Sequence, residues 1–347
     1  MIILSIDTSC DDTCIAILKI KNKKIKILSN IISSQIDIHR KYGGVYPSLA
    51  KREHEKNLVP VLKQALQGAK KKEKFKKPDL IAVTIGPGLE PCLWVGLNFA
   101  KSLSFMWDIH LIPVNHIEGH ILANFISITK KIKFPMLALI VSGGHTQLIL
   151  MKKIKDYEII GETRDDAVGE CFDKTARILG LAYPGGPSIE EQIKKYPTSV
   201  PKFQIKLPRP MMYSKDYDFS FSGLKTAVLY DYKKRNKKIR TSKKYISEMA
   251  KEIQQSIIDV LIKKTIKVAK DYKVKTVILG GGVAANQELK KQFKKTIKKK
   301  IPKCFFSVPD PKSCTDNAAM IGIAGYFNKN KALKSPQKIK VNSNLRI

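Results

Sequence analysis

The chain opens on an apolar run, pauses at a short polar turn, and resumes with a second apolar run: "MIILSIDTSCDDTCIAILKI". From Met136 the segment "MLALIVSGGHTQLILMKKI" repeats that form. Each predicts a hairpin of two strands joined by a tight turn rich in Ser, Thr, Gly and Asp. Turns of this composition present backbone N–H groups and hydroxyls to an anion. The two segments agree in form and hardly in identity, so internal duplication and coincidence both fit.

A third unit, "KTVILGGGVAANQELKKQFKK" from Lys275 to Lys295, predicts a short buried strand over 276–279, a glycine loop, and a helix opened by Asn286. It is neither G-x-G-x-x-G nor a P-loop, so no dinucleotide or Walker site follows. Helical spacing predicts helices over Pro47–Gly68 with a kink at Pro60, over Gly96–Trp107, and over Asp165–Leu179 with acids in the first turn. The Lys-rich "KKKEKFKKPDL" reads as a solvated connection, and residues 331–347 lack periodicity and read as an arm or a disordered tail. Strands alternating with helices make this an α/β chain in two lobes.

Composition narrows the class. With 43% hydrophobic and 27% charged residues the chain is globular, and its 347 residues suffice for two domains. It has no basic leader, no apolar run of membrane-spanning length, and six cysteines without a C-x-x-C pair, which together point to a reduced, cytoplasmic protein. The net charge of +34 suits a nucleic-acid partner. Only eight of the 64 basic residues are Arg, however, so codon bias acting on solvated Lys positions explains the excess equally well.

The densest chemistry lies in "PVNHIEGHILAN", where His116 and His120 stand four apart. On a helix that spacing stacks both imidazoles on one face, where they can share a cation. A protease H-E-x-x-H places its Glu beside the metal-bound water. Here Glu118 is two residues from each His, roughly 200° around the helix from the ligand face at about 100° per residue, and is better placed to support packing. Two imidazoles hold a divalent ion poorly, and the best third ligand is Asp316 in "SCTDNAAM". Two His and one carboxylate suit Fe²⁺ or Zn²⁺ with positions open for substrate. A surface helix with two chance histidines is the rival reading.

These phrases do not stand alone. "DTSCDDT", "SSQIDIHRKYGGVYPSLAKREH", "GPGL", "NHIEGH", "LIVSGGHTQL", "DDAVGECFDKTARILGLAYPGGP", "DFSFSGLKT", "GGGVAAN" and "CTDNAAM" follow in this order from residue 7 to residue 320. As a set they resemble the tRNA threonylcarbamoyladenosine transferase family, once taken for O-sialoglycoprotein endopeptidases, over about nine tenths of the chain.

The resemblance implies an actin-like ATPase fold, as in sugar kinases and the seventy-kilodalton heat-shock chaperones, with two related lobes and a central cleft. It implies an N-terminal lobe over 1–121 completed by a helix at about 312–330, a second lobe over 122–311, and a basic tail over 331–347. The implied reaction moves threonylcarbamoyl from threonylcarbamoyl-adenylate to N6 of the adenosine 3′ of the anticodon, in tRNAs reading codons that begin with A. Implied partners are tRNA, an inactive paralogous subunit and a small P-loop ATPase. One divalent metal per subunit is implied, Fe²⁺ ahead of Zn²⁺, on His116, His120 and Asp316. The substrate loop would be Ile140, Val141, Ser142, Gly143 and Gly144. Asp173 would meet the adenylate ribose with Gly186 nearby, and Asn286 would hold the other side of the nucleotide. Each has a plainer rival: a surface acid, a turn glycine, a helix cap. No general base is implied, although Asp11 is a candidate for proton handling in competition with Asp7 and Asp12. Glu90, Pro91 and Ala318 depart from the usual pattern without touching a proposed ligand. A metalloprotease-type hydrolase and an actin-like-fold ATPase are the alternatives.

Overall fold

The computed structural model describes residues 1–22, 24–128, 132–197, 201–310 and 314–347. The chain forms two compact units, Met1–Thr129 with Pro311–Ile347, and Lys130–Asp310.

In the first unit the opening apolar runs form β1 (Ile2–Asp7) and β2 (Asp12–Lys21), antiparallel from Ile2 opposite Lys19 to Asp7 opposite Cys14. β3 (Lys24–Ser34) adds antiparallel to β2, while β4 (Leu80–Gly86) and β5 (Leu111–Asn115) add in parallel beyond β1. The resulting order is β3-β2-β1-β4-β5. Every residue of β1 is buried because helices cover both faces of the sheet. Ile2, Leu4 and Ile6 pack into one core with Leu58, Val61, Leu62 and Ala65 of the Pro47–Lys70 helix and Leu97 and Ala100 of the Glu90–Trp107 helix. Ser5, of opposite parity, faces Gly322 of the Ala318–Phe327 helix, where an added Cβ would lie 2.8 Å from Ser5 Oγ.

The second unit repeats the plan. β6 (Met136–Val141) pairs antiparallel with β7 (Thr146–Lys153), which pairs with β8 (Asp156–Glu162); β9 (Thr276–Gly280) and β10 (Phe305–Ser307) extend in parallel from β6. Read by order of appearance, both sheets run third-second-first-fourth-fifth.

Three expectations need correction. The second helix begins at Glu90 rather than Gly96, because Pro91 falls in the first turn, where a missing N–H costs nothing. The helix expected from Asp165 spans Val168–Ile178, and Asp165 instead accepts from the amides of Phe221 and Ser222 at the start of the Ser222–Lys234 helix. The tail is no free arm. Leu333 and Leu111 exchange backbone hydrogen bonds, Ile339 is buried in the core of the first unit, and Asn342 N donates to Ile85 O at 2.8 Å.

Candidate functional site

β5 ends at Asn115, and the chain turns at once into the short His116–Leu122 helix. Asn115 Oδ1 accepts from the amides of Ile117 and Glu118, an N-cap that fixes the direction of the helix. Gly119 brings this helix against the Ala318–Phe327 helix, since a Cβ there would stand 3.0 Å from Ile321 Cδ1. The close approach delivers Asp316, just ahead of the Asn317 cap, to the two histidines. Asp316 Oδ1 lies 3.4 Å from His116 Nε2 and 3.2 Å from His120 Nε2. Cys14 Sγ donates to the Asp316 carbonyl and steadies that turn.

His116, His120 and Asp316 each offer one ligand atom, all within 4.8 Å of one another. Several observations fit a divalent cation. His120 is buried, and neither ring nitrogen makes a well-formed hydrogen bond. Burial pushes the Asp316 carboxyl upward, but the two imidazoles outweigh it and hold the group well below the ordinary carboxylate range. Burial pushes His116 down, yet the charges of Asp7 and Asp316 prevail and push its imidazole up to about 10. One buried and one half-buried carboxylate thus call for positive charge, which a cation would supply while the imidazoles remain neutral. His120 itself is lowered, first by burial, which favours the neutral ring that ligation needs.

Asp7, named from sequence only as a competitor of Asp11 for proton handling, lies beside the histidines. Its Oδ2 lies 3.3 Å from His116 Nδ1, and Ser9 Oγ lies 3.2 Å from the same nitrogen. These contacts turn Nε2 toward Asp316, the usual way an outer carboxylate orients a metal-binding His. The available signal was an acid closing a strand that is apolar at every other position but Ser5. Asp11 is raised by burial, and the charge of Asp316 adds to the shift. Glu118 is buried and its Oε2 accepts from Asn328 Nδ2 at 2.7 Å, so it serves helix packing and leaves a protease reading without its base.

The remaining candidates lie in the second unit. Ile140 and Val141 are buried at the end of β6, and Ser142 closes the turn by receiving the amides of His145 and Gly169. Gly143 and Gly144 face open space, with no atom within 4 Å of an added Cβ. Gly169 and Gly281 press against this turn: a Cβ would lie 2.6 Å from Ser142 O and 2.3 Å from Val141 O, respectively. Asp173 Oδ1 accepts from Gly185 N at 2.6 Å and so ties the Gly185–Lys195 helix, with Gly186 next in line, to the Val168–Ile178 helix. Asn286 caps the Gln287–Lys300 helix through Leu289 N and donates to Gln254 Oε1.

Comparison with solved structures defines the class. The crystal structure of T. kodakarensis HypF matches 97% of this chain and 49% of its own, with a TM-score of 0.62 at 13% identity. That of full-length HypF in the phosphate- and nucleotide-bound form matches 94% and 55%, with a TM-score of 0.55 at 14% identity. Such likeness establishes the fold: the protein is an α/β protein of the actin-like ATPase class, with a three-residue candidate metal centre in its first unit. Sequence comparison is more specific. A tRNA N6-adenosine threonylcarbamoyltransferase from Thermosipho africanus is 48% identical over 100% of both chains, and one from Staphylococcus carnosus is 42% identical over 100% of this chain and 96% of its own. The family model described as "TsaD: tRNA N6-adenosine threonylcarbamoyltransferase" matches residues 26–323, and the chain belongs to that family. Among the described residues, no helix is long and apolar enough to cross a membrane.

Proposed function

We infer that this chain transfers the threonylcarbamoyl group from threonylcarbamoyl-adenylate to N6 of the adenosine 3′ of the anticodon, in tRNAs reading codons that begin with A. The observation that carries the reading is the cluster of two buried histidines, His116 and His120, with the half-buried Asp316 in a chain of this family. The donor is a mixed carbamic-phosphoric anhydride with AMP as a good leaving group, so the protein's task is orientation and charge stabilisation. His116, His120 and Asp316 hold Fe²⁺, with Zn²⁺ as the alternative. Bound there, a divalent ion supplies a Lewis-acid anchor for the threonylcarbamoyl group.

Asp7 keeps the His116 ring turned toward Asp316. In the second unit, the bare Gly143 and Gly144 turn admits an anion to backbone amides. Asp173, Gly186 and Asn286 attend the adenylate, and Asp11 is the group for the proton released from N6. An inactive paralogue and a small P-loop ATPase are the proposed protein partners.

The test is tRNA modification with supplied threonylcarbamoyl-adenylate and these partners, with and without chelator. Loss of product with chelator and in His116→Ala is expected. A wild-type rate in a metal-free variant would overturn the assignment, and steady ATP turnover by the isolated chain without transfer would favour an ATPase.

A further inference from the structure

Asn115 does more than cap the helix that bears the histidines. Its Oδ1 accepts from Ile117 N and Glu118 N, at 2.8 and 3.2 Å. Its Nδ2 donates to Leu345 O and Arg346 O, at 3.4 and 3.2 Å. Ser or Asp would serve equally well as a bare cap. A carboxamide accepts through its oxygen while its separate NH₂ offers two donors, whereas a carboxylate has no donor and a hydroxyl has one hydrogen for the two carbonyls.

The segment that Asn115 grips is itself seated with care. Asn342 N donates to Ile85 O at 2.8 Å, and Gly88 N donates to Ser343 O at 3.2 Å. Gly86 makes room for it, because a Cβ there would lie 1.9 Å from Asn342 O. Gly88 in turn lies so close to Ser9 that a Cβ would stand 2.5 Å from Ser9 O, and Leu89 N donates to the same carbonyl at 2.8 Å. Ser9 Oγ is the hydroxyl 3.2 Å from His116 Nδ1. Two routes therefore run from residues 342–346 to His116, one through Asn115 and the helix start, the other through Gly88 and Ser9.

We propose that Asn115 is a positioning residue for the metal centre, and that Asn342–Arg346 is a strap through which it holds the His116–Leu122 helix in its ligating orientation. This rests on the reading of His116, His120 and Asp316 as metal ligands. The strap is bonded to the end of β4 and its turn through Ile85 and Gly88, and to the end of β5 through Asn115, while Gly88 and Leu89 carry the contact on to Ser9 after β1.

The experiment is a titration of the metal-stripped full chain with Co²⁺, read by visible d–d absorption, on wild type, Asn115→Asp, a chain lacking residues 342–347, and the two changes combined. Asn115→Asp keeps the cap but removes the donor and sets a carboxylate against two carbonyls. Added negative charge alone would tighten cation binding, whereas loss of the strap weakens it. Expected is a roughly 10- to 100-fold weaker Co²⁺ affinity with a shifted absorption band in either variant, unchanged far-ultraviolet dichroism, and no further loss when the two are combined. Wild-type affinity and spectrum in either variant, or effects that simply add, would overturn the strap while leaving the metal centre intact. A wild-type chain that takes up no Co²⁺ would overturn both.

Discussion

Glu118 and Asn328 are joined by a 2.7 Å hydrogen bond that links the histidine helix to the far end of the helix beginning beside Asp316. The two ends of one helix thus meet the same short partner: Asp316 just before its start faces the histidines, and its C-cap Asn328 donates to the buried acid. A Gln at position 118 can accept the same bond. Glu118→Gln is therefore expected to leave tRNA modification within about twofold of wild type, where loss of a general base would cost about 10²- to 10⁴-fold. Glu118→Ala removes the acceptor and should cost ~1–3 kcal/mol in denaturant unfolding.

Asp7→Asn tests the outer contact of His116. The amide keeps the size of the side chain but abolishes the charge that holds the ring. Metal affinity is expected to fall about 10- to 100-fold, measured by competition with a chromogenic chelator, and an unchanged affinity would show that Ser9 alone orients the ring.

The glycines of the second unit separate packing from binding. Gly281 has φ +86°, and an added Cβ would lie 2.3 Å from Val141 O, so Gly281→Ala should destabilise the protein by ~1–3 kcal/mol and lower its melting temperature. Gly144 meets nothing within 4 Å. Gly144→Ala should melt like wild type while raising the KM for threonylcarbamoyl-adenylate, and an unchanged KM would remove that turn from the binding surface.

Asp165 gives a pH signature. Burial raises its carboxyl, but hydrogen bonds from Ser220, Ser222 and two backbone amides prevail and hold it below the ordinary range. An acid depressed by folding lends stability above its unfolded pKa and loses it as pH falls through the folded value. Asp165→Ala should be weaker than wild type by ~1 kcal/mol at neutral pH, and the two should converge as pH falls below the unfolded carboxylate value of about 4 and through the lower folded one, as urea melts across acid pH will show.

Both hairpins were legible because each places two buried apolar runs around a polar turn, a signal carried within some twenty residues. Asp316 was legible as a candidate third ligand only through the short phrase around it; its approach to the histidines depends on Gly119 admitting a helix from some two hundred residues away. Asp165 was misread because a first-turn acid looks the same whether it serves its own helix or one that begins at Ser222. The tail escaped because Leu333 and Ile339 are held by backbone bonds and Ile339 and Val341 pack singly on the core, and neither leaves a period to detect.

Both sheets share one strand order, yet the turn after the first strand of each differs in kind: acids and hydroxyls after β1, bare glycines after β6. Two different loop chemistries therefore sit on frames of one strand order. Substitutions at Asp7 and Ser9 are expected to alter the surroundings of the histidines without disturbing Ser142, Gly143 and Gly144. A library randomised at those three positions is expected to leave the His116, His120 and Asp316 cluster as it is.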